Sequence, residues 1–126
     1  MPKFTFEKIK ALSGNKYKVM QLSIDGVKQL DEFEQRMEEE LKPQYRSLIA
    51  YIDHYTQTGD LPEAKIKNIT GKKSKRKEFE FRTKNGIRLY TVQADNGKLI
   101  VLCGYKKNQG KDIVKFREMI KVIFPN

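Results

Sequence analysis

The stretch Glu78–Phe124, EFEFRTKNGIRLYTVQADNGKLIVLCGYKKNQGKDIVKFREMIKVIF, constrains the fold more than any other part of the chain. Two Asn-Gly turns, Asn85-Gly86 and Asn96-Gly97, separate three runs of strand-favouring residues, and one helix follows. Hairpin loop length decides which face each side chain occupies. A two-residue turn at Asn85-Gly86 would place Arg88 beside Phe79 and Phe81, burying a guanidinium among apolar groups. A three-residue loop, Lys84-Asn85-Gly86, pairs Thr83 with Ile87 and Phe81 with Leu89 instead. Phe79, Phe81, Ile87 and Leu89 then share the core face, and Glu80, Arg82, Arg88 and Tyr90 share the other, with Arg82 across from Arg88. Like charges in that position need a carboxylate, which Glu80 can supply, or a bound phosphate between them. The third strand, Leu99 to Tyr105, is apolar enough to be covered on both faces.

The remainder fits around this sheet. Lys3 to Leu12 and Lys16 to Ile24 read as two strands around Ser13-Gly14-Asn15. Behind Asp25 as N-cap, Val27, Leu30, Phe33, Met37 and Leu41 recur at helical spacing. Pro43 suits the first turn of a second helix with the face Tyr45, Leu48, Ile49, Ile52 and Tyr55, ended by Gly59. Ile113, Phe116, Ile120 and Ile123 line a C-terminal helix behind Asp112. The expectation is an α+β fold: a small antiparallel sheet packed against an N-terminal helical hairpin, with a C-terminal helix, forming one domain over residues 1–126.

Charge is divided unevenly. Residues 1–64 hold 9 Lys/Arg against 11 Asp/Glu, whereas residues 65–126 hold 17 against 5, so the net charge of +10 resides entirely in the C-terminal half. Lys65 to Lys77 alone contributes seven cations and no acid. A polyanion is expected to dock on this half, with Lys72, Lys73, Lys75, Arg76, Lys77 and Lys84 as candidate RNA contacts; a purely solvated cationic face is the plainer alternative. No apolar run approaches the roughly 20 residues of a membrane span, and MPKFTFEKIK lacks the apolar core of a signal peptide, so a cytoplasmic protein is expected. Cys103 is the only cysteine and reads as a small apolar strand residue. His54, the only histidine, has no partner at metal-ligand spacing, and neither a metal nor a cofactor is expected.

Phe79-Glu80-Phe81-Arg82, Gly86-Ile87-Arg88-Leu89-Tyr90, Ile100-Val101-Leu102 and Gly104-Tyr105-Lys106-Lys107, in this order, resemble the signature of RelE/HigB-type toxins, particularly their phage-derived branch. The similarity extends over about residues 15–124. It implies a ribosome-dependent mRNA endonuclease held in check by a cognate antitoxin, expected to be a helix-turn-helix protein. The chemistry of that family needs no metal: the 2′-hydroxyl of the RNA attacks the adjacent phosphate. By this resemblance Arg88 stabilises the phosphate, with Arg82 second, because a guanidinium fork stays charged and donates two hydrogen bonds. Lys106 or Lys107 acts as base or as donor to the leaving oxygen. The family's C-terminal base-stacking aromatic has no clear tyrosine equivalent here, the nearest aromatic being Phe116 in the helix's core stripe, and Tyr90 or Tyr105 is expected to stack on a base instead.

The family's best-known pattern has lysines where Glu78 and Glu80 stand here, which makes Glu80 a further candidate base. The same departure motivates a second reading, a non-catalytic RNA- or ribosome-binding module. A third is a mobile-element interaction protein whose basic face binds an acidic protein partner.

Overall fold

In the computed structural model, which describes residues 1–125, all strands join one mixed sheet. The strands are β1 (Phe4–Lys8), β2 (Val19–Ile24), β3 (Val27–Lys28), β4 (Ile66–Asn68), β5 (Glu78–Arg82), β6 (Ile87–Ala94) and β7 (Gly97–Tyr105). Their order is β1-β2-β7-β6-β5-β4, with β3 added to β2. Every pairing is antiparallel except β2 with β7, where Val19–Gln21 run alongside Lys98–Ile100. That parallel contact corrects the expected small antiparallel sheet, since it merges the N-terminal strands with the C-terminal ones.

The three helices are α1 (Gln29–Arg36), α2 (Lys42–Thr58) and α3 (Gln109–Ile123). Leu30 of α1 and Tyr45, Leu48, Ile49 and Ile52 of α2 pack on one sheet face against Phe81, Ile87, Leu89 and Ile100. Phe116 of α3 lies on the other face with Leu22, Tyr90, Val92, Leu99 and Val101. The central strand β7 therefore feeds both cores, as its nearly continuous apolar sequence requires. Pro43 stands in the first turn of α2, and Gly59 caps its end at φ 84°, in the left-handed region that glycine enters without a Cβ clash.

Two local expectations are corrected. Asp25 is not a helix cap: at φ 50° it turns the chain with Gly26 between β2 and β3, and its Oδ1 accepts from the Lys3 amide. The first amides of α1 are instead capped from the sheet, Leu30 N and Asp31 N donating to Gln21 Oε1 at 3.0 and 3.1 Å. The helix expected to run to Leu41 ends at Arg36, because Met37 and Glu38 are extended before a 3-10 turn at Glu39–Leu41. Among the described residues no helix is long and apolar enough to cross a membrane.

The β5–β6 hairpin has the register that burial arguments select. Phe81 pairs with Leu89, Arg82 with Arg88, and the Thr83 amide donates to Ile87 O at 3.1 Å around the loop Lys84-Asn85-Gly86. On the far side of β6 the pairing with β7 slips between Tyr90 and Thr91, leaving Val101 as an extra residue opposite that step. Bulges of this kind bend a strand and re-aim its side chains. Here the bulge borders Tyr90.

Candidate functional site

Glu80, Arg88 and Tyr90 come together on the α3 side of β5 and β6, as the hairpin register dictates. Glu80 stands directly across from Tyr90, and its Oε1 lies 3.0 Å from Arg88 Nε. Arg88 is 5% exposed and Glu80 and Tyr90 are wholly buried beneath α3. The guanidinium is further tied to the backbone, Nη1 donating to Thr83 O at 2.7 Å and Ile87 O at 2.9 Å. From the first turn of α3, Gln109 Nε2 donates to Glu80 Oε2 at 2.8 Å. The carboxylate is thus held between a guanidinium and an amide.

Satisfaction within this cluster is incomplete. Glu80 Oε1 and Arg88 Nε face each other as a buried ion pair and have no further partner among the described residues. The Tyr90 hydroxyl has no hydrogen-bond partner among the described residues. Burial raises the pKa of that hydroxyl and the Glu80 carboxylate adds to the effect, with Asp112 contributing and Arg88 opposing. Tyr90 is consequently a neutral donor at physiological pH. Asp112, half-buried in α3, also has its carboxyl pushed up by burial, against the pull of Lys115 and Lys111.

The other expected residues fall elsewhere. Arg82 is half-buried beside Arg88 at the end of β5. Lys106 and Lys107 are exposed in the 3-10 turn Lys106–Asn108, where they line a groove with Arg36, Glu38 and the hairpin tip Asn85-Gly86. The Lys106 amide donates to Gly86 O at 2.7 Å, which fixes this turn against the hairpin. Lys84 is exposed at the same tip. Tyr105 lies on the opposite face from Arg88, its ring 5.1 Å from that of Phe33, and burial raises its pKa. Tyr90 packs against Phe116 at 5.8 Å between ring centres. The two tyrosines expected to stack on bases thus belong to two different cores. Cys103 packs against the α1/α2 core, and burial pushes its thiol up, so it takes no part.

A second polar assembly lies along the C-terminal half of α3. Lys72, Lys73, Lys75 and Arg76 wall a cleft of about 460 Å³ whose opposite side is α3, with Arg117 and Lys121. Glu78, 2% exposed, organises it: its Oε1 accepts from Gly71 N at 2.9 Å and Arg117 Nε at 3.1 Å. Lys77 is exposed next to this cleft, outside its lining. Sequence reasoning singles out the lysine run but misses Arg117 and Gln109. For Arg117 a signal exists, since Arg117 and Lys121 are spaced i, i+4 beside the apolar stripe of α3; for Gln109 there is none. No family model, curated protein or solved structure matches the chain.

Proposed function

We propose that this protein is an RNA-cleaving toxin of the RelE/HigB type, a metal-independent endoribonuclease acting on translated mRNA at the ribosome and restrained by a cognate antitoxin. The observation that carries this reading is the buried polar cluster on two neighbouring strands, the Glu80–Arg88 ion pair at 3.0 Å with the Tyr90 hydroxyl, which has no hydrogen-bond partner among the described residues. Buried polar groups in folded proteins are almost always satisfied, so an orphaned hydroxyl beside a buried charge pair calls for an explanation. A phosphodiester next to a ribose hydroxyl offers that hydroxyl an acceptor, and offers the ion pair an anion for Arg88 and a donor for Glu80.

In that arrangement Glu80 accepts the proton of the 2′-hydroxyl, and the 2′-oxygen attacks the adjacent phosphorus. Negative charge grows on the non-bridging oxygens, where Arg88, supported by Arg82, stabilises it in a water-poor site. The P–O5′ bond breaks, and the departing oxygen takes a proton from Tyr90, which recovers one from Glu80. The products are a 2′,3′-cyclic phosphate and a 5′-hydroxyl. Lys106, Lys107 and Lys84, exposed around the end of the sheet, serve as phosphate contacts along the strand rather than as acid or base. Entry of RNA requires the Gln109 end of α3 to release Glu80.

One observation favours a second reading, a non-catalytic RNA-binding module: Arg88 already donates to two backbone carbonyls and faces its carboxylate in the interior, as a purely architectural ion pair would. Brief induction in growing bacteria, followed by primer extension on a translated reporter mRNA, separates the two. Discrete new 5′ ends that follow the reading frame are expected, and they should vanish in Glu80→Gln and Arg88→Lys variants whose circular dichroism matches the parent. Retention of RNA by soluble protein without new ends would sink the nuclease reading. Equal cutting by the folded variants would move the site elsewhere.

A further inference from the structure

We infer that the cleft between residues 71–77 and α3 binds one nucleotide of a single-stranded RNA, its phosphate on the cationic walls and its base on the apolar floor. The inference rests on the proposed function for the identity of the polymer.

The cleft is built, not merely charged. Arg117 is held by Glu78 through Nε and by Ile69 O through Nη2, at 3.1 and 2.6 Å, contacts that do not engage its Nη1. A guanidinium fixed on two sides loses little side-chain freedom when it meets an anion, which favours binding. Among the described residues Glu78 is the only acid in the lining and is already paired, so the exposed lysines of the rim dominate the local potential.

The floor decides between a bare phosphate and a nucleotide. Ile120, Phe124 and Pro125 line the cleft together with the cations, and an inorganic anion has no use for such a surface. Arg76 lies with one face on the Phe124 ring at 4.0 Å from its centre and donates from Nη1 to Gln93 O and Asp95 Oδ1 at 3.2 and 3.4 Å, so its guanidinium is a fixed plane of the kind on which unpaired bases stack. The volume, about 460 Å³, falls within the range of roughly 300–1,000 Å³ found for small-molecule sites.

Position connects this cleft to the Glu80 cluster. Glu78 and Glu80 are two residues apart on one strand and on the same sheet face, hence about 7 Å apart along β5. Once the Gln109 end of α3 releases Glu80, one RNA strand can reach both places. A nucleotide held in the cleft would set the register of the phosphate presented to Arg88.

Binding is read without cutting by using a short fluorescent oligoribonucleotide with 2′-O-methyl riboses, which lacks the attacking hydroxyl. Fluorescence anisotropy should show affinity falling about tenfold for Lys121→Glu and for Lys72→Glu, both exposed rim positions, with the salt slope shallower by about one in each variant. Arg117→Gln should weaken binding further; if it unfolds, the two lysine variants still decide. Adenosine monophosphate should displace the probe at lower concentration than inorganic phosphate. Unchanged affinity in both folded lysine variants, equal competition by phosphate and nucleotide, or preference for anionic lipid vesicles over the oligonucleotide would overturn the inference. A protein that never cuts mRNA but binds the oligonucleotide more weakly as Lys121→Glu would refute the nuclease while leaving this site standing. Normal cutting with unaltered affinity would do the reverse.

Discussion

The two faces of the sheet are covered by helices in both cases, but they are built on different terms. Toward α1 and α2 the buried side chains are Phe81, Ile87, Leu89 and Ile100 meeting Leu48, Ile49 and Ile52, apolar on apolar. Toward α3 the same strands bury Glu78, Glu80, Arg88 and Tyr90 among Val92, Leu99 and Phe116. The first face is what a core needs for stability. The second holds charges in the interior, where desolvation offsets much of their attraction, and leaves the Tyr90 hydroxyl without a partner among the described residues. Stability does not account for the second arrangement, so it marks the side of the molecule on which to look for function.

Single truncations should hurt both faces about equally. Phe81→Ala should cost about 3–5 kcal/mol by loss of packing, and Arg88→Ala about 3–5 kcal/mol because Glu80 would be left buried without its counter-charge. Urea unfolding of the two variants measures this. The faces separate when the pair is removed together: Glu80→Leu combined with Arg88→Met should be neutral to more stable than the parent, by up to about 4 kcal/mol, while cutting is abolished. A double variant as unstable as Arg88→Ala would mean that the pair is architectural and would break the contrast.

Two finer tests sharpen it. Tyr90→Phe removes a buried hydroxyl without a partner and should raise stability by about 1 kcal/mol in the same unfolding experiment while reducing RNA cutting. Loss of stability instead would mean that the hydroxyl is satisfied in solution. The smallest effect concerns Asp112. Burial holds its carboxyl above the usual carboxylate range, so between that range and its folded value the native protein keeps a proton that the unfolded chain has released. Its contribution is fully present at acid pH and is lost as pH rises through the folded value. Melting temperatures recorded from about pH 4 to 7 should therefore show Asp112→Asn gaining on the parent as pH rises; parallel curves would contradict the burial of this carboxylate.

Much of the local structure is legible in the sequence because local rules govern it. The three-residue loop at Lys84-Asn85-Gly86 follows from refusing to bury Arg88 beside Phe79 and Phe81, and the stripe Ile113, Phe116, Ile120 and Ile123 fixes the inner face of α3. Yet Arg88 is buried all the same, on the opposite face. Nothing in its neighbourhood says which side of the sheet a helix begun some 20 residues later will cover. The start of α1 escapes local reading for a similar reason. Its cap is Gln21 on β2, a side chain brought in by tertiary contact, whereas Asp25, the local candidate, is spent on a turn. At the candidate site the cations are visible as a run, but the cleft they form depends on Arg117 and Glu78 meeting across elements 39 residues apart.

The parallel pairing of β2 with β7 bears on how the protein is made. On the side away from β1, Val19–Gln21 pair with Lys98–Ile100, and α1, eight residues long, takes its cap from that same strand β2. A helix so short gains little from its own propensity, and contacts this distant in sequence form slowly. During synthesis the sheet cannot close until β7 has left the ribosome exit tunnel, and α3 emerges later still. Until then the nascent chain is without its central strand, and without the helix that covers the Glu80–Arg88 pair, while it is still attached to the ribosome that produces it.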